Sequence, residues 1–178
     1  MSGPAPAAEQ TAYYTGRPPA AIASLKPSPV SLSGVSFDGH GSPINACFDL
    51  TCECGGKGFY VLAHDGADWV VDPVSVRCAA CSKQTVIFDG RSQGYDGALG
   101  NLPETPLPTT PIQELFAESL GASPYRVAVR YEYADDVLGD PEYADWKGRE
   151  SELFTWFTVV ARPMAGDAAE SVFDQECS

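Results

Sequence analysis

Four cysteines in two close pairs, Cys52 with Cys54 and Cys78 with Cys81, constrain this chain more than any other feature. They stand as Cys-Glu-Cys-Gly-Gly and Cys-Ala-Ala-Cys, with twenty-three residues between the pairs. Each pair spans one edge of a tetrahedron, and a chain that folds back on itself brings two such edges around one ion. The pattern predicts a fold stapled by a metal and says little about activity. Fifteen prolines and seventeen glycines in 178 residues add the expectation of many turns and little long helix.

The spacing of apolar residues around the cysteines reads as strands. Ile44, Ala46, Phe48 and Leu50 alternate with Asn45, Cys47, Asp49 and Thr51, a half-buried strand running into Cys52. Phe59, Val61 and Ala63 continue after the Gly55-Gly56 turn, and Asp65-Gly66 closes that run. Val74 and Val76 lead into Cys78, and Thr85 to Phe88 follow Cys81. Further on, Val127, Val129, Tyr131 and Tyr133 alternate with Arg126, Ala128, Arg130 and Glu132, and residues 152–162 supply an antiparallel partner. One short helix is predicted over residues 111–120. Thr110 caps it, Pro111 takes the first position, and Ile112, Leu115, Phe116 and Leu120 form its stripe before Gly121. The fold class is therefore mainly β: antiparallel sheets with an embedded four-cysteine module and one short α-helix.

Composition divides the chain further. Residues 1–32 hold six prolines among Ala and Ser and read as a disordered arm, with Tyr13-Tyr14 its one hint of a docking spot. Residues 33–100 form the cysteine-bearing β lobe, and residues 89–101 within it are glycine-rich and irregular. Residues 101–111 are a Pro-rich linker. Residues 112–165 are the helix and a β-hairpin packed with the first lobe, and residues 166–178 a polar tail.

The Cys-x-Cys-Gly…Cys-x-x-Cys arrangement resembles a zinc ribbon over about residues 47–90. Its first pair departs from the commoner Cys-x-x-Cys, and its spacer is long. The resemblance implies Zn²⁺ held by Cys52, Cys54, Cys78 and Cys81 in a pair of β-hairpins, and no particular activity. Four thiolates close the shell, so the ion is expected to be structural, since a catalytic zinc keeps an open position. A thiol–disulfide couple and an iron–sulfur centre are the other uses of such cysteines. The Cys-x-x-Cys, however, follows a valine-rich strand rather than opening a helix. Cys47 is read as a half-buried spare thiol and Cys177 as an exposed one in the tail. Whether Cys47 or His64 joins the metal stays open.

Charge narrows the function classes. The net charge is −13, and residues 101–178 hold fifteen acidic against five basic side chains, a net −10. A nucleic-acid binder needs a basic face, so that class is the weakest. No run approaches the length of a membrane span, and the first residues lack a charged and apolar leader. Cytoplasmic residence is the expectation, where paired cysteines serve metals more often than disulfides. His40 and His64 are the only histidines, and no nucleophile setting surrounds Ser42 or Ser92. The acidic stretch 134–151 does not follow the calcium-loop pattern. These features favour a non-enzymatic interaction or scaffold protein whose acidic second half docks a basic protein. The alternative is an enzyme or small-ligand binder with a pocket near Tyr95, lined by Trp69 or Trp156.

Overall fold

Alternating β-branched and aromatic residues form strands here because each pleated face finds cover. The computed structural model of the chain describes residues 5–32, 35, 37, 42–66 and 70–177. His40, one of the two histidines, and Trp69, the expected pocket wall, lie outside the described residues.

Among the described residues, nine strands form two antiparallel sheets. They are β1 (Ser28–Pro29), β2 (Asn45–Asp49), β3 (Phe59–Asp65), β4 (Val70–Cys78), β5 (Gln84–Phe88), β6 (Ile112–Glu114), β7 (Arg126–Glu132), β8 (Trp156–Arg162) and β9 (Glu170–Glu176). One sheet runs β1-β2-β7-β8-β9 and the other β5-β4-β3-β6. The expected hairpin is present, with β7 and β8 in register from Arg126↔Arg162 to Glu132↔Trp156. The sheets face one another across a single apolar cluster. Phe48, Val129, Phe157 and Val159 on one side meet Phe59, Val61, Val76 and Phe88 on the other. Phe88 of β5 stacks on Phe157 of β8 with ring centroids 4.5 Å apart, which fixes the two layers as a sandwich. The opposite face of β7 is covered too. Arg130 and Glu132, only 6% and 1% exposed, pair with each other, and Arg130 lies 4.4 Å over the Phe37 ring.

Four expectations are corrected. Residues 1–32 are not a bare arm over their described part. Helix α1 (Ala7–Thr15) and a 3-10 turn at Ala20–Leu25 place Tyr14, Ile22 and Leu25 in the core. Residues 111–120 are not a helix. Pro111 and Leu115 bracket β6, whose backbone completes the open edge of β3 through Asp65 N–H to Pro111 O at 3.1 Å and Leu115 N–H to Val61 O at 2.8 Å. The presumed stripe fails because Ile112 and Phe116 face solvent, at 55% and 64% exposure. Only a 3-10 turn at Glu118–Leu120 remains helical there. The tail contains β9, which pairs along β8 and buries Phe173. The glycine-rich connection holds a second short helix, α2 (Gly94–Leu99). No helix among the described residues is long and apolar enough to cross a membrane.

Candidate metal centre

The chain leaves the first sheet after β2 and enters the second at β3, and this crossing carries Cys52 and Cys54. Cys52 N–H donates to the Gly56 carbonyl at 2.8 Å and Gly55 N–H to the Cys52 carbonyl at 2.8 Å, folding residues 52–56 into a tight knuckle. Gly55 has φ +88°, a conformation that side chains other than glycine rarely adopt. Gly56 is needed for room. A Cβ there would lie 2.8 Å from Cys78 Sγ and 3.3 Å from Cys54 Sγ.

The second knuckle is the β4–β5 hairpin. Cys78 ends β4, its N–H donates to the Lys83 carbonyl at 2.9 Å, and Ser82 N–H returns to the Cys78 carbonyl at 2.9 Å. Ala79 N–H donates to the Gly58 carbonyl at 2.9 Å and ties the two knuckles together. The ribbon resemblance implied two hairpins. Only the second knuckle is one, because β2 and β3 belong to different sheets.

These turns bring the four sulfurs together, all within 4.8 Å of one another. Cys52 Sγ lies 3.6 Å from Cys81 Sγ, and Cys54 Sγ 3.6 Å from Cys78 Sγ. All four cysteines are free, and these separations are far from the ~2.05 Å of a disulfide. They fit the edge of about 3.8 Å that a tetrahedron with ~2.3 Å metal–sulfur bonds requires. Cys52 and Cys78 are buried against the core while Cys54 and Cys81 face outward. Gly56 N–H donates to Cys54 Sγ at 3.4 Å, the amide-to-sulfur contact that small residues after the first pair permit.

The protons on these sulfurs are coupled. Burial raises Cys78, but the Cys81 and Ala80 amides and the neighbouring thiols outweigh it and bring it down to about 7. For Cys52 the Cys54 amide favours the thiolate, yet burial and the three other sulfurs push it up to about 12. Four thiolates this close would repel one another, and a cation among them would let all four ionise.

Neither open ligand joins this group among the described residues. Cys47 lies mid-strand on β2 opposite Arg130, half-buried as expected, and burial pushes its thiol up to about 11. His64 Nδ1 lies 2.8 Å from the Thr110 carbonyl. Ser42 donates its hydroxyl to the Tyr133 carbonyl at 2.8 Å. Cys177 is not exposed. It is 8% exposed, its carbonyl accepts Asp96 N–H at 2.9 Å, and burial raises its thiol strongly.

A cavity of about 540 Å³ lies beside, not at, the predicted pocket. It opens between α1 and the 137–150 segment, with Tyr13, Arg17, Leu138, Tyr143, Lys147 and Glu150 among its walls. Tyr95 stands behind it, its hydroxyl 2.5 Å from that of Tyr143, and Trp156 belongs to β8 away from the lining. Sequence reasoning missed this site because its walls come from a segment read as a disordered arm and from the acidic stretch 134–151. The Tyr13-Tyr14 pair was the one available signal. The chain matches no protein-family model, no curated protein and no solved structure.

Proposed function

We propose that Cys52, Cys54, Cys78 and Cys81 bind one structural Zn²⁺, and that the chain works in the cytoplasm as a non-enzymatic interaction scaffold. The observation that carries the metal reading is the set of four free sulfurs within 4.8 Å of one another. Four thiolates satisfy a soft, tetrahedral ion and leave no position for a substrate or water. The ion then clamps the crossing between the sheets to the β4–β5 hairpin.

The docking face is the acidic segment between β7 and β8. Asp135, Asp136, Asp140, Glu142 and Asp145 are all exposed there, in a chain of net charge −13. A basic partner is the complement, recognised by long-range attraction that salt screens.

Elemental analysis of the purified protein tests the metal, with one zinc per chain expected and none in a Cys78→Ser, Cys81→Ser double variant. Full zinc in that variant would overturn the reading. Calorimetric titration with an oligolysine peptide tests the docking face. Binding should weaken with salt and be lost in a variant carrying Asp135→Asn, Asp136→Asn, Glu142→Gln and Asp145→Asn. Equal binding by both proteins, or none by either, rejects the acidic face as a docking surface.

A further inference from the structure

The cavity against α1 has a chemistry that the acidic surface does not share. Its volume, about 540 Å³, lies in the range of small-ligand sites. Its walls are largely apolar: Val137 is 1% exposed, and Leu138, Pro141 and Ala144 line the cavity beside it. Two carboxylates reach the lining and both already serve protein donors. Glu150, 7% exposed, accepts the Tyr13 hydroxyl at 2.5 Å, and Asp140 accepts Glu142 N–H at 2.8 Å.

The two cations of the lining are in the opposite condition. Arg17 and Lys147 form no ion pair among the described residues, although the chain holds more than twice as many acidic as basic groups. Arg17 is held by stacking, its guanidinium carbon 4.0 Å over the Tyr13 ring. A guanidinium parked on an aromatic face keeps the N–H groups at its edge for a planar, two-oxygen acceptor. The Tyr13 ring is itself fixed by the bond to Glu150, so the platform is set before anything binds.

We infer that this cavity binds a small organic acid: an aromatic or aliphatic body against the apolar walls, with a carboxylate facing Arg17 and Lys147. An amine of the same shape would be repelled by the two cations and could gain only from Asp140 and Glu150, each of which already accepts a hydrogen bond. Inorganic phosphate would lack the apolar body that the walls are built to cover. The site goes beyond the scaffold reading and is independent of the zinc clasp, since none of the four cysteines lines it.

The test uses the full-length, zinc-loaded chain and three probes of one shape: 1-naphthylacetate, its neutral amide, and 2-(1-naphthyl)ethylamine. Calorimetry and chemical-shift titration should show the acid binding about tenfold more tightly than the amide, and the amine not at all. Arg17→Gln should weaken the acid about tenfold and leave the amide unchanged, while Lys147→Gln should cost about threefold. Both residues are exposed, so neither change should shift the thermal midpoint by more than a few degrees, the loss of the Arg17–Tyr13 stack included. Ala144→Trp, which fills the cavity, should abolish binding of acid and amide together. Acid and amide binding alike, an Arg17→Gln protein that keeps the preference, or no saturable binding of the acid by about 5 mM would each overturn the inference.

Discussion

The four-cysteine cluster and the N-terminal helix are both attached to the same sandwich, and they are held by opposite means. At the clasp, residues 52–56 and 78–83 are turns whose order comes from backbone hydrogen bonds and four convergent sulfurs, two of them facing solvent. At the helix, an uncharged stack does the holding. Tyr14 lies parallel to Tyr133 with ring centroids 3.6 Å apart, and Ile22 and Leu25 follow it into the core. With the proposed zinc bound, the first attachment would depend on an ion and on pH, and the second depends on buried area. The difference teaches that a short irregular segment can be fixed either by a few strong bonds or by one large side chain.

Removing a ligand is the strongest way to break this comparison. Cys78→Ser should abolish zinc binding and cost more than about 3 kcal/mol, because the binding energy of a structural site is folding energy. Metal analysis with urea unfolding would show it, and retained zinc would place the clasp elsewhere. Tyr14→Ala should cost about 3 kcal/mol in the same unfolding assay, from the lost stack and the cavity left behind, with zinc content unchanged. Loss of zinc in that variant would mean that the two attachments are coupled. Gly56→Ala sharpens the clasp alone. Its Cβ must displace Cys78 Sγ, so competition with a chelator should read zinc affinity about 10- to 100-fold weaker in a protein that still folds.

The smallest effect is the response of the helix to alkali. Burial, then the hydrogen bond to Glu150 and its charge, push Tyr13 up to about 12 from an ordinary value of 10. A raised folded value means that this contribution is complete below pH 10 and fades as pH climbs towards 12. Because Tyr13 is partly exposed, solvent screening keeps the loss small. Absorbance of tyrosinate near 295 nm should therefore rise late, and earlier in Glu150→Gln.

The same contrast explains what the sequence made legible. The cysteines could be read because thiols at that spacing have few other uses, and β7 could be read because both faces alternate cleanly through Arg126–Glu132. Helix α1 left no such trace. Its buried residues are Gln10 and Tyr14, one of them polar, so no apolar stripe marks it. Gln10 earns its place through its side-chain amide, which donates to the carbonyls of Ala5 and Asp135. Strand β9 fully buries only Phe173, with Val172 half-buried beside it, and is specified by its ladder to β8. The false helix at 111–120 shows the converse. Its spacing was helical, but a segment that short gains little from helix formation alone, and the open backbone of β3 offered it partners.

The crossing between the sheets has a consequence for the order of folding. The closest sulfur pairs stand 24 and 29 residues apart along the chain. The strand just before them, β2, pairs with the distant β7, joining Asn45 to Glu132. Closing the shorter loop surrenders less chain entropy, and an ion that closes it early hands β2 to its distant partner with one end already anchored. If the proposed zinc binds there, the cluster is a starting point as well as a fastening. Metal supplied during refolding should speed the long-range pairing of β2 with β7, whereas metal supplied afterwards can only strengthen what has already formed.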